Sequence, residues 1–454
     1  MASMLPSRAT LVVAGGGPAG FMAAIAAAEA GLRDVLILEA TAEPLHKVRI
    51  SGGGRCNVTH ACWDPCALVG HYPRGGQALR GPFSRFAPGD TLAWFAEHGL
   101  ALVEESDGRL FPRSNRSTSV VSCLRQAAAA AGVVLATGEA LSAATALAEG
   151  GFRLTLRSGA SLQARQLVLA SGSHPSGHRL AVSLGHSLVP PVPSLFTLSL
   201  AGHPFAGLEG VAMDPVGLEL LPPADFAGPA AASARPQTPL RQRGAVLITH
   251  WGLSGPATLR LTAFAARALK AWGYRARLRI DWTGGMGAPA LQERFERTRR
   301  EQARRQLATA RPWPGLSRRL WKQLLAAAAP AGRPLDPSLR WADLDRRARH
   351  NLERALLASE VAVAGRGPFG EEFVTAGGIP LAEVDLTTMA SRRCPGLQLV
   401  GELLDVDGVT GGFNFQHCWS SGWIAGRAAA AALSGCSQTP RTSADTSPAT
   451  PSQR

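Results

Sequence analysis

Three glycine-rich runs hold the residue types best suited to gripping a phosphorylated ligand. In the first, Gly15, Gly17 and Gly20 stand in a G-x-G-x-x-G spacing between an apolar run at 10–14 and an alanine-rich segment that opens at Pro18 and Ala19. At a strand-to-helix junction the first glycine permits the tight turn and the second lets backbone approach a pyrophosphate. The third lets the helix pack against the strand. The free N–H groups and positive dipole end of such a helix then face the phosphate. Nineteen residues after Gly20, Glu39 closes a second apolar run. A carboxylate there accepts hydrogen bonds from a ribose diol and repels a 2′-phosphate. The alternative is a tight turn beside an unrelated surface glutamate. The pattern specifies an adenine dinucleotide without choosing between FAD and NAD.

The C-terminal run makes that choice. An apolar stretch at 397–400 leads into Gly401, Glu402, Asp405, Gly408, Gly411, Gly412, Asn414 and Gln416, ahead of a helix predicted over 419–433. A second glycine turn opening a helix brings another positive dipole end to the ligand, where it stabilises negative charge on a reduced flavin ring. A turn with no ligand is the alternative. The third run is Ser51, Gly52, Gly53, Gly54, Arg55, Cys56 and Asn57. Its exposed backbone N–H groups suit a phosphate or an isoalloxazine edge, and Arg55 adds a rigid cationic fork. Catalytic side chains need be few when a flavin carries the electrons. Arg55 is the candidate for an anionic substrate, Cys56 for a thiol near the ring and His250 for an acid or base, with a structural histidine as its alternative. Cys56 has no C-x-x-C partner, which argues against thiol–disulfide chemistry.

The elements that must position these residues are also legible. Residues 10–14, 18–30 and 35–38 predict a βαβ opening, with Gly31 as C-cap. The stretch with Trp63, Pro65, Pro73 and Pro82 reads as mostly loop, and helices are predicted over 91–98 and 118–131. An antiparallel meander is expected over 139–166, with Phe152, Leu154 and Leu156 facing one way, then a separate apolar strand at 167–170 ending at Ser171 and Gly172. Pro190, Pro191 and Pro193 read as a linker into strand-like fragments over 196–285, interrupted by a proline- and alanine-rich loop near 222–239. An arginine-rich helical pattern follows over 289–357, with Leu320, Leu324 and Leu325 on one face. The Ser-, Thr- and Pro-rich tail at 434–454 is expected to be disordered.

Composition bounds the classes. The 454 residues exceed one ordinary core, so two or three domains are expected. Apolar residues make up 46% and charged residues 18%, mean hydropathy is +0.03, and no apolar run is long enough for a bilayer. Residues 1–10 hold no apolar stretch of the signal-peptide kind, so a soluble cytoplasmic chain is expected. The net charge of +14 invites a nucleic-acid partner, but lysine occurs only at Lys47, Lys270 and Lys322. Arginine carries the rest, and an arginine-rich helix face is ordinarily a solvated one, so nucleic acid is not the expected partner. Seven cysteines without an export signal argue for reduced thiols. Cys56, Cys62 and Cys66, with His60 and His71 nearby, lack zinc-site spacings, so no metal is expected.

The runs Ser51 to Asn57, His250-Trp-Gly-Leu-Ser-Gly-Pro256 and Gly411-Gly-Phe-Asn-Phe-Gln416 resemble, together with those at 13–20, 108–114, 373–378 and 401–426, the signatures of the bacterial BaiN-like or YhiN-like NAD(P)/FAD-dependent oxidoreductases. The resemblance implies an α/β chain: a Rossmann-like FAD-binding domain built from 1–189 and 367–433, with an inserted β-barrel-like domain over 190–288 and 351–366 and a small helical subdomain at 289–350. It implies FAD as cofactor, NAD(P)H as a transient donor and a small-molecule substrate. Expected cofactor contacts are Gly15, Gly17, Pro18, Ala19, Gly20, Glu39, Lys47, Ser51, Gly52, Gly53, Arg55, Asn57, Ser171, Gly172, Gly378, Gly401, Glu402, Asp405, Gly411, Gly412, Asn414 and Gln416. The sequence departs from that pattern at His60, Phe413, Phe415 and His417, which puts substrate preference in question. No second nucleotide fingerprint is present. Three readings stand: a reductase of an unsaturated or carbonyl small molecule, an oxidase passing electrons to O2, and an RNA-associated flavoprotein using the arginine-rich helices near 294–322.

Overall fold

The computed structural model describes residues 5–226, 239–328, 335–336, 338–367 and 374–435. The apolar runs Arg8–Ala14 (β1) and Val35–Glu39 (β2) pair in parallel, Val12 against Leu36 and Val13 against Ile37. Between them Pro18–Glu29 (α1) is buried over Ala19 to Ala28. A helix apolar on every side must be covered on several. The sheet covers one face, and the C-terminal helix Phe413–Gly435 (α5) covers another. Glycines set that helix contact: a Cβ at Gly422 would lie 2.5 Å from the Ala19 carbonyl oxygen, and one at Gly426 would lie 2.1 Å from that of Ala23. The two backbones therefore touch, and both helix N-termini open on the same side of the sheet.

Ser161–Leu169 (β5) lies on the other side of β1, followed by Leu397–Leu399 (β6), so the parallel order is β6, β5, β1, β2 and Val134–Thr137. The sheet is thus assembled from both ends of the chain. The meander at Leu141–Ala146 and Phe152–Leu156 is antiparallel and runs into β5 without a break. The strand expected separately at 167–170 is the buried end of β5, because one nine-residue strand serves both the meander and the parallel sheet.

Two loop assignments are corrected. Residues 63–85 carry short helices at Pro65–Leu68 and Arg80–Arg85 and single 3₁₀ turns at Val69–His71 and Gly76–Leu79. Asp64 makes the first possible by accepting from the Cys66 and Ala67 N–H groups, with Pro65 at the first helical position. The proline run is a strand, Val189–Ser194, paired antiparallel with Val374–Gly378. Its register shifts between Val189 and Val192, so Pro190 and Pro191 sit where no ladder N–H is required.

A closed barrel of six strands forms the second body, in the order Leu198–Leu200, Gly252–Ser254, Leu240–Ile248, Ala212–Leu221, Ala276–Asp281 and Ser359–Arg366. Helix Pro256–Ala271 (α4), which sequence periodicity does not separate from the surrounding strand fragments, packs Leu261, Ala265 and Leu269 into the barrel core. Leu320, Leu324 and Leu325 of Arg318–Ala327 are buried with Trp321 and Trp341. Helix Arg346–Leu357 runs across residue 350. Most of the loop expected near 222–239, and nearly all of the tail, lie outside the described residues. No helix among the described residues is long and apolar enough to cross a membrane.

A buried ion pair of the first body reaches the barrel helix α4. Arg74 donates to both carboxylate oxygens of Asp407, to the Ala263 carbonyl of α4 at 2.6 Å and to Ser194 Oγ at 3.3 Å. Ser194 Oγ in turn donates to Asp407 at 2.7 Å.

Candidate functional site

A cavity of about 2390 Å³ opens where α1, α5, the ends of β1, β2 and β5, and the N-terminus of α4 meet. Ordinary ligand pockets measure roughly 300–1,000 Å³, so this one has room for a dinucleotide and a second molecule.

The cradle at one end is mostly backbone. A Cβ at Gly15 would lie 2.4 Å from the Ala170 carbonyl oxygen and one at Gly20 would lie 2.0 Å from that of Gly15, so both positions pack backbone on backbone. Gly17 differs: a Cβ there would meet no protein atom within 4 Å, and the residue lines the cavity. The space is left for a ligand at the N-terminus of α1. Glu39 accepts from Gly16 N at 2.8 Å and from Thr41 N and Oγ1 at 2.8 and 2.7 Å, so its carboxylate also holds the turn. Across the cavity Lys47 pairs with Glu402, which accepts from Thr375 N at 3.1 Å. Helix α5 begins at Phe413, six residues before the expected start, so Gly411 and Gly412 abut it directly. Their φ values of 122° and 91° and the 2.7 Å from a Cβ at Gly412 to the Thr59 backbone leave no room for a side chain.

Of the expected cofactor contacts, Gly15, Gly17, Pro18, Ala19, Glu39, Lys47, Ser51, Gly52, Asn57, Ser171, Gly172, Gly401, Glu402, Gly411, Gly412 and Asn414 line the cavity. Gly20, Gly53, Arg55, Gly378, Asp405 and Gln416 do not. Gly20 and Gly378 serve close backbone packing, and Asp405 is taken by Arg267 and the Gly377 N–H. Gln416 is fully buried and spends its amide on Thr59, Thr91, Ser420 and the Phe86 carbonyl. Even Asn414, which does line the cavity, ties its amide to both backbone groups of Gly408 at 2.9 Å.

The three candidate catalytic residues lie elsewhere. Gly52 and Gly53, with φ of 57° and 67°, reverse the chain after Ser51, and Cys56 follows at φ 60°. Arg55 is thereby turned onto the Phe111 ring at 4.0 Å, paired with Glu105 and bonded to Asn115 at 2.6 Å. Cys56 is wholly buried, and burial pushes its thiol up to about 12 against a weaker opposing bond with Ser51. It is protonated at neutral pH and is no nucleophile. His250 is exposed on the barrel, outside the cavity lining. Among the described residues no group of three or more His, Cys, Asp or Glu stands together as a metal site.

Buried polar atoms without a partner among the described residues test the fit to a polar cofactor. Asn57 Oδ1, Ser171 Oγ and His417 Nδ1 are in that state, and all three residues line the cavity. Burial lowers the His417 pKa to about 4, against an opposing bond to the Gly401 carbonyl, so it is a neutral imidazole at physiological pH. The polar ribityl, phosphate and ring groups of FAD suit such a lining, and the two helix N-termini suit its negative charge.

Sequence reasoning missed a further part of the cavity wall, where His60, Asp107, Arg109 and Phe111 line it together with Pro256, Leu259 and Arg260 of α4. Of the run from His250 to Pro256, only Pro256, at the start of α4, lines the cavity.

A family model for the HI0933-like protein Rossmann domain matches residues 9–428. A 3-dehydro-bile acid Δ(4,6)-reductase of Clostridium scindens is 32% identical over 432 residues, covering 92% of this chain and 98% of that protein. Ribosomal RNA dihydrouridine synthases of Escherichia coli and Haemophilus influenzae are 28% and 24% identical, over 92% and 91% of this chain and 96% of each relative. The chain therefore belongs to the HI0933-like Rossmann-domain family, the BaiN-like or YhiN-like flavin-dependent oxidoreductases.

Proposed function

We propose that this chain uses FAD to transfer a hydride to a carbon–carbon double bond conjugated with a carbonyl group, with NAD(P)H as electron donor. The observation that carries this reading is one cavity onto which two helix N-termini from opposite ends of the chain open, with room for a dinucleotide and a second molecule. The names of the relatives point to the bond. A Δ(4,6)-reductase acting on a 3-dehydro bile acid and an enzyme that makes dihydrouridine both saturate a double bond in conjugation with a carbonyl.

Bound FAD supplies a two-electron centre that takes and gives a hydride. The residues that would hold it are the Gly17 turn and α1 N-terminus at the pyrophosphate, Glu39 at the ribose, and Lys47, Glu402 and the Gly411–Gly412 turn toward the ring. The neutral His417 imidazole presents an unpaired nitrogen to the same wall. Arg74, held by Asp407, donates to the Ala263 carbonyl and so fixes the barrel helix α4 beside the cavity.

The test is to purify the protein, record its visible spectrum, and add NADH or NADPH without oxygen. Rapid bleaching, then recolouring by an enone such as 2-cyclohexenone or by uridine in RNA, supports the reductase. Bleaching only by an amine or alcohol, with recolouring by air, favours an oxidase and ends this reading.

A second reading concerns the size of the substrate. Arg109, Arg157, Arg179, Arg260 and Arg393 line the cavity, and two of the three relatives act on ribosomal RNA by name. A uridine presented by an RNA strand is therefore a substrate the site can take, held by cations around the cavity. The arginines of Ala288–Glu301 and Arg318–Ala327 do not line it. Affinity for a ribosomal RNA fragment that falls steeply with salt supports this reading, and weak, salt-independent binding removes it.

A further inference from the structure

The part of the cavity wall lined by His60 and α4, the chamber, holds two polar side chains that each keep one buried nitrogen without a partner among the described residues. His60 ends the two-residue strand Thr59–His60 (β3), paired with Arg109–Pro112 (β4). Its ring packs against Gly108: a Cβ there, where φ is 83°, would come within 2.5 Å of the imidazole. Phe413, the first residue of α5, stacks on His60 at 4.8 Å and on His71 at 4.2 Å, and the two imidazoles are 6.0 Å apart. His60 is thus clamped between β4 and the glycine turn of α5, yet its Nδ1 is buried without a partner among the described residues. Arg260 of α4, which like His60 lies close enough to His71 to lower its pKa, is fixed by an Nη2 bond to the Arg243 carbonyl at 2.7 Å, and its Nε is likewise buried without a partner among the described residues. Both side chains line the cavity. Buried unpaired polar atoms are costly, so two of them on residues that line one cavity point to groups kept for a ligand.

We propose that His60 delivers the proton and Arg260 holds the carbonyl oxygen of the substrate in the reduction set out above, on which this inference rests. The hydride adds to the carbon β to the carbonyl, and the π electrons of the double bond move onto the carbonyl oxygen. Arg260 stabilises that oxyanion. The enolate then takes a proton from the His60 imidazolium at its α-carbon, leaving a saturated bond, and His60 regains a proton from water. The substrate gains two electrons and the flavin, reduced beforehand by NAD(P)H, loses two.

The surroundings of His60 give this step a pH dependence. Burial lowers its pKa, with the Asp107 backbone and the charges of Asp107 and Glu104 opposing and that of Arg109 assisting. His71 is lowered by burial, by His60 and by Arg260. The protonated donor therefore becomes abundant only below the usual histidine value of 6.5, and proton delivery accelerates as pH falls toward and through that lower value.

The test uses FAD-loaded enzyme, reduced without oxygen and mixed with 2-cyclohexenone or with 1,4-benzoquinone, which accepts a hydride without protonation at carbon. His60→Asn is expected to slow the enone reaction by about a hundredfold, to slow the quinone far less, and to flatten the pH profile. Arg260→Gln is expected to weaken binding of 4-hydroxybenzaldehyde, a phenolate probe measured by equilibrium dialysis, by about tenfold, with the visible spectrum of the bound flavin retained. Equal slowing of enone and quinone in His60→Asn, or an unchanged pH profile, overturns the proton role. Unaltered probe binding in Arg260→Gln overturns the oxyanion role. A wild-type enzyme that reduces the quinone but neither the enone nor uridine in RNA overturns the proposed reaction itself, and this inference with it.

Discussion

The cradle and the chamber are two parts of one cavity built on different principles. The cradle is made of backbone: glycines whose missing side chains let turns and helices touch, and helix N-termini whose N–H groups are free. The chamber is made of side chains brought together from β3, β4, α4 and the start of α5. A backbone site is written in a few consecutive residues, whereas a side-chain site exists only once distant elements are docked. The two parts should accordingly fail in different ways.

The largest effect is expected in the cradle. At Gly20 a Cβ would sit 2.0 Å from a carbonyl oxygen of the turn itself, so Gly20→Val must push α1 off β1. Overpacking of this kind costs about 1–3 kcal/mol for small additions, and here it also moves the phosphate-facing helix end. Denaturant unfolding with flavin quantified in the purified protein checks both: lowered stability and loss of flavin together are expected. Stable, fully yellow Gly20→Val protein would break the assignment of this turn to the cofactor.

Next comes the bond that holds the chamber in place. Arg74→Met leaves Asp407 buried and unpaired, which should cost about 3–5 kcal/mol, with the double variant Arg74→Met, Asp407→Leu recovering much of it. The recovered double variant separates the two parts. Flavin content should be retained, while the KM for an enone rises because α4 is no longer fixed by Arg74. Equal damage to both would mean that cradle and chamber are one rigid unit.

A smaller effect sharpens the same contrast by pH. Buried His417 has a folded pKa of about 4 against an ordinary 6.5, so the unfolded chain binds the extra proton first as pH falls. Its contribution is complete above 6.5 and is progressively lost between 6.5 and about 4. His417→Leu should flatten the fall in urea midpoint over that window while leaving the pH profile of enone reduction, set by His60, in place. A midpoint profile identical to wild type would show that His417 is not buried neutral.

Legibility followed the same division. The turn at Gly15 to Gly20, Glu39 and the glycines before α5 were readable because their spacing is local and their chemistry is steric. Arg55 and Cys56 lie outside the cavity lining for an equally local reason: residues adjacent to a glycine turn look aimed at a ligand, but the left-handed Gly52 and Gly53 turn them onto Phe111 and into the core. His250 was chosen for its chemistry from a motif of which only Pro256 lines the cavity. His60 stood in view, yet nothing in the sequence shows Gly108 and Phe413 against it or Arg260 lining the same cavity.

By itself the sequence determined the βαβ opening and the two helix-opening glycine turns, since hydrophobic periodicity and steric permission act over short stretches of chain; the inserted barrel was implied only by the family resemblance. Only the tertiary structure decided which polar side chains share a cavity. That depends on how α1 packs on α5 and where Arg74 fastens α4, contacts between residues hundreds of positions apart that leave no local trace.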